Sequence, residues 1–68
     1  MTNIIFLEET TVESFVIYNN TISDSSWMVF KEGETLSGRF ANDNEDFRIF
    51  VVNDYFIIIT KDILYQEV

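Results

Sequence analysis

The chain contains no cysteine, no histidine and no proline, and only two glycines and four basic residues among its 68. Each absence removes chemistry. Without Cys there are no disulfides, and without Cys or His the usual ligands of zinc, copper and haem are missing. Without His, and with two lysines in no recognisable context, Ser and Thr lack a base to activate them for nucleophilic attack. Gly33 and Gly38 are too few for a phosphate-cradling loop. The expectation is a non-enzymatic chain with no cofactor and no bound metal. Lys31, Arg39, Arg48 and Lys61 are scattered, and the first thirty residues hold no basic group. Direct nucleic-acid binding draws on clustered Lys and Arg and is disfavoured, as is an anionic membrane surface. No stretch approaches the roughly 20 apolar residues of a membrane span. The segment Met1–Glu9 lacks the basic start and long apolar run of a leader. A Cys-free chain without a leader fits a reducing cytoplasm.

What is present is acid and apolar side chain. Twelve carboxylates give a formal net charge of −8, while 47% of residues are hydrophobic and 16% aromatic. Disordered chains combine high charge with low hydrophobicity, so this composition predicts one folded domain over 1–68. So small a domain buries only about 60% of the surface its unfolded chain exposes, and an apolar core must hold it. The apolar supply is nine Ile, six Val and seven Phe with six Thr, against one Ala and three Leu. Branched and aromatic side chains pack well on pleated surfaces and lose rotamer freedom in helices, so the chain reads as mainly β.

The clearest element is a hairpin of 46–52 with 55–60, joined by Asn53-Asp54, two residue types that tolerate positive φ. Its register sets Val52 against Tyr55, Val51 against Phe56, Ile49 against Ile58 and Phe47 against Thr60. A preceding strand sets Phe40 against Phe47, Gly38 against Ile49 and Leu36 against Val51, around an Asn42–Glu45 loop, and completes a C-terminal β-meander. Upstream, 27–30 reads as a short strand leading into a turn at Gly33. Residues 3–7 and 14–18 read as another hairpin, with Phe6 meeting Phe15 and Ile4 meeting Ile17. A helix is the rival reading of 10–18, because Thr10-Thr11-Val12-Glu13 matches a capping box. Residues 19–26 read as polar loop, 61–64 as a short 3-10 turn and 65–68 as a closing strand.

Five or six short antiparallel strands in this length predict an all-β small barrel or compact sandwich. The long hairpin, tight turn and short closing strand look like an SH3-like barrel, as does the turn Phe30–Gly38. That resemblance is architectural. The acidic-aromatic groove of signalling SH3 domains is absent, so proline-rich peptide binding is not implied.

Two surfaces are candidates for binding. The first is the second face of the strong hairpin. With Phe47, Ile49, Val51, Phe56 and Ile58 inward, Phe50, Val52, Tyr55, Ile57 and Ile59 turn outward, and a half-solvated sheet would carry polar residues there. The rest of the chain, a second copy in a homo-oligomer, or a partner protein is each able to cover that face. Trp27, the single Trp, is either the largest piece of a small core or a binding anchor. The second surface is acidic: Glu8, Glu9, Glu13, Glu32, Glu34, Asp43, Glu45 and Asp46, mostly at turns, would steer a partner with a basic surface. Within it, Asn42–Asp46 is oxygen-rich but matches no EF-hand spacing, and Asn and Asp are what a hairpin loop needs. Asn19-Asn20-Thr21 spells a glycosylation sequon.

The expected function is a protein-binding factor, an inhibitor or modulator of a basic, nucleic-acid-handling protein. In size, charge and missing catalytic groups the chain is similar to small phage inhibitors, including anti-CRISPR and DNA-mimic proteins. The alternative is a structural or assembly subunit that self-associates through the apolar face of the 46–60 hairpin.

Overall fold

The structure, a computed structural model, describes residues 1–22 and 24–68, the Asp43 side chain excepted. It is all-β, with strands β1 (Thr2–Phe6), β2 (Thr10–Tyr18), β3 (Thr21–Ile22), β4 (Ser26–Phe30), β5 (Thr35–Asp43), β6 (Phe47–Val52), β7 (Tyr55–Thr60) and β8 (Tyr65–Glu67). All pair antiparallel in one sheet of order β3-β2-β7-β6-β5-β1-β8, with β4 also on β2. Residues 10–18 are therefore strand throughout, and the capping-box sequence Thr10–Glu13 lies in the ladder.

Three expectations about architecture are corrected. Among the described residues there are eight strands rather than five or six: each of the seven segments read as strand holds one, and β3 forms inside the segment read as loop. Asn19 and Asn20 take φ of 50° and 60° and turn the chain so that Ile17 faces Ile22. The sheet is not closed into a barrel, which removes the SH3-like resemblance: the order ends at β3 and β4 on one side and at β8 on the other. The three residues of β8 are all used in pairing with β1. Finally, 61–64 form a simple turn in which the Ile63 amide donates to the Thr60 carbonyl at 3.2 Å, and no helix or 3-10 turn occurs among the described residues.

A single open sheet encloses a core because β5 bends. Its first half pairs with β1, Thr35 against Ile5 through Gly38 against Thr2, and its second half with β6, Arg39 against Val51 through Asp43 against Arg48. A register shift between Phe40 and Asn42 marks a bulge, which sharpens local twist. The expected β5–β6 pairing is corrected as well: Asn42 and Asp43, expected in the loop, are paired with Ile49 and Arg48, so that Phe40 faces Phe50 rather than Phe47. Leu36 pairs with Ile4 of β1 instead of reaching β6. The bend brings Phe6 of β1 onto Phe30 of β4, with ring centroids 4.7 Å apart and planes within 9°. The expected β1–β2 hairpin does not exist, because β5 and β8 occupy both edges of β1. Phe15 stacks on Phe56 instead of meeting Phe6.

The core is Ile4, Phe6, Val12, Phe30, Phe50, Val52, Ile57 and Ile59. The β6–β7 register is as expected in every pair, yet the buried face is the opposite one. Charged neighbours explain the inversion. Glu13 lies directly across from Ile58, and Arg39 directly across from Val51. Directly paired residues share a face, and turning that face inward would bury both charges at large cost. Val12 and Ser14 go inward in place of Glu13, and Ser14 donates its hydroxyl to the Ser26 carbonyl at 3.1 Å.

Candidate protein-binding face

The inversion leaves an apolar face on the outside of β4, β2, β7, β6 and β5. One row of directly paired residues crosses it as Trp27, Glu13, Ile58, Ile49 and Asn42. The next runs Phe15, Phe56, Val51 and Arg39, with Phe15 and Phe56 stacked at 5.1 Å. Val29 beside Thr11, Phe47 beside Thr60 and Ile17 beside Ile22 extend it along the strands. Trp27 is 70% exposed, Ile22 61% and Val29 59%; the other apolar members are half-buried. Glu13 and Arg39 are the charged residues in the two central rows, at opposite sides of the face. Where β5 passes from β1 to β6 a hollow of about 370 Å³ opens between Met1, Ser37, Gly38, Arg39, Val51 and Asn53.

The residues expected to bind divide sharply. Phe50, Val52, Ile57 and Ile59 are core and do not form a surface, which corrects the reading of the hairpin's outer face. Trp27 is exposed and not part of the core, and Glu13 sits beside it on the apolar face. Tyr55 is half-buried against the core. Phe47, Ile49, Val51, Phe56 and Ile58, expected inward, lie on the outer face instead, with Phe15, Val29 and Arg39 beside them. The signal that identifies them is the placement of Glu13 and Arg39 once the strand partners are known.

Tyr55 carries a pH dependence. Burial, and then the neighbouring Asp54 carboxylate, hold its phenol above the ordinary value near 10. The folded state thus prefers the neutral phenol. This contribution to stability is complete below the unfolded value and is lost as pH rises through the folded one. In urea unfolding between pH 9 and 12, stability is expected to fall above about pH 10, and less steeply in Tyr55→Phe. Identical slopes would remove Tyr55 as a source of it.

The acids gather at turns. Backbone bonds from Phe6 to Glu34 and Leu7 to Leu64, each 3.0 Å, and from Gly33 to Phe6 at 2.8 Å tie three connections together. This brings the segments carrying Glu8, Glu9, Glu32, Glu34 and Asp62 to one end. There the Thr60 hydroxyl donates to Asp62 and lowers its carboxyl pKa. Glu45 and Asp46, on the β5–β6 connection, lie at the same end, because Phe47 pairs with Thr60, while Asp54 lies at the opposite end of the β6–β7 hairpin. The Asp43 side chain lies outside the described residues. Asn44 Oδ1 accepts from the Asp46 and Phe47 amides at 2.9 and 3.0 Å, so this oxygen-rich stretch serves its own turn. Among the described residues no three His, Cys, Asp or Glu are grouped to hold a metal ion.

A second cleft, about 320 Å³, is lined by Phe47, Arg48, Thr60, Lys61, Ile63 and Tyr65 among others. Arg48 is engaged there, 3.5 Å over the Phe40 ring and donating to the Tyr65 hydroxyl at 2.8 Å.

No family model, no curated protein and no solved structure matches the chain. The compositional similarity to phage anti-CRISPR and DNA-mimic inhibitors therefore has no related sequence or fold behind it. That similarity is set aside with the SH3-like one.

Proposed function

We propose that the chain works by binding protein, without a catalytic step of its own, through the outer face of β4, β2, β7, β6 and β5. The observation that carries this is the continuous apolar surface from Trp27 and Val29 to Val51 and Phe47. Contiguous apolar patches of several hundred Å² on a small soluble domain mark interaction sites. The net charge of −8 supports a division of labour. Acidic connections repel nucleic acid and anionic surfaces and admit basic or neutral protein, while the apolar face makes the contact.

Photo-crosslinking side chains placed singly at Val29, at Ile58 and, as a control, at Gln66 test this in extract of the source cells. Adducts to polypeptide are expected from Val29 and Ile58 well above the Gln66 level. Equal yields at all three positions would overturn the assignment of the face.

A further inference from the structure

Strand β4 is an edge of the sheet. Among the described residues it pairs with β2 alone, along its whole length, so its other side presents main-chain N–H and C=O groups with no strand beside them. Edge strands of this kind are normally kept very short, charged or interrupted by proline. β3 has two residues, and β8 has three, one of them Glu67. Ser26-Trp27-Met28-Val29-Phe30 has five, with neither charge nor proline. Trp27 and Val29 are more exposed than the half-buried apolar residues of β7 and β6, because no further strand flanks them. Met28 points to the other face and is half-buried against the core. We infer that β4 takes up an extended, basic-flanked segment of another protein as an additional strand of the sheet; this rests on the protein-binding reading above and names the chemistry of the partner.

In strand addition, main-chain hydrogen bonds supply affinity and alternate side chains supply specificity. Residues of the added strand beside Trp27 and Val29 continue the outer face, and the one between them lies beside Met28. Branched or aromatic side chains suit all three positions. Charge decides what flanks them. Asp24 stands just before β4, and Glu32 and Glu34 just after it. Glu9 adjoins Thr10, which pairs with Phe30. With Lys31 the one base among these carboxylates, Lys or Arg is favoured at both ends of the segment.

A second copy laid antiparallel along the same edge would bring Asp24 of each chain toward Glu32 of the other, and like charge disfavours it. The edge is also held in place before anything binds. Phe30 is stacked on Phe6, and the turn that follows it is tied to β1 by the Gly33 amide, which donates to the Phe6 carbonyl. An edge already ordered loses little entropy on binding. Added salt weakens this complex, since it screens the flanking carboxylates from the basic ends of the segment.

The probe is the synthetic peptide acetyl-Lys-Lys-Thr-Val-Ile-Val-Thr-Lys-Lys-amide, added to the purified full chain up to about 1 mM. Amide hydrogen exchange is expected to slow at every second residue of β4, the set facing away from β2, and Trp27 emission to move to shorter wavelength. Glu in place of each Lys should weaken binding at least about tenfold. N-methylation of the central peptide amides should abolish it, because the ladder loses its donors. Unchanged exchange in β4 at the highest peptide concentration would overturn the inference, as would equal binding of the N-methylated or the Glu-flanked peptide. Slowed exchange in β4 that grows with the concentration of the chain itself, without peptide, would put a second copy on the edge and overturn it too. Adducts from Val29 and Ile58 without protection of β4 defeat strand addition and leave the binding face standing. The absence of both defeats both.

Discussion

Gly38→Ala is expected to cost about 3 kcal/mol or more, a large share of the roughly 5 kcal/mol that keeps a small domain folded. Gly38 is buried at the point where β5 passes from β1 to β6. A Cβ built there would lie 2.1 Å from the Val51 carbonyl oxygen, 3.1 Å from the Val51 carbonyl carbon and 3.0 Å from Phe50 Cε2. The first two neighbours are backbone and cannot rotate aside. Relief must come from parting β5 and β6 or from straightening the bend. Either motion disturbs the edge-on contact of Phe40 with Phe50, whose centroids are 4.9 Å apart. Gly33→Ala is the control. Nothing lies within 4 Å of its Cβ position, so its cost comes from the φ of +88° alone, about 1–2 kcal/mol. Urea unfolding of the two variants measures the difference. A Gly38→Ala protein within about 0.5 kcal/mol of the parent would show that the close approach does not exist.

The same residue shows why the sequence was legible in parts. The β6–β7 pairing could be read because its connection is two residues long and Asn53, with φ of 52°, is suited to it. Short connections leave few registers to choose from. The β5–β6 pairing was misread because β5 runs on to Asp43 before it turns, through a run, 41–46, that has no apolar alternation to mark where the strand ends. Pairings distant in sequence, β1 with β5 and β2 with β7, carry no local signal, and with them went the closure of the sheet. The outward face of the hairpin was misread for a related reason. Both faces of the hairpin are apolar, so its own alternation cannot say which is buried. That decision belongs to Glu13 and Arg39, whose neighbours were misplaced because 14–18 was set against 3–7 and Phe40 against Phe47. Trp27 was ambiguous because size favours both a core and an anchor. Its place on β4, outside the bend, makes it exposed.

Face assignment has a direct thermodynamic consequence. Phe50→Ala is expected to cost about 3–5 kcal/mol and to leave the domain barely folded, while Phe56→Ala costs about 1–2 kcal/mol. Phe50 is fully buried among the core residues of β1, β4, β6 and β7 and packs edge-on against Phe40. Its removal empties a volume that rigid neighbouring strands cannot refill. Phe56 is half-buried on the other face and loses chiefly its stack on Phe15, 5.1 Å away. Had the hairpin faced the other way, the order of the two effects would be reversed, so the ranking alone decides.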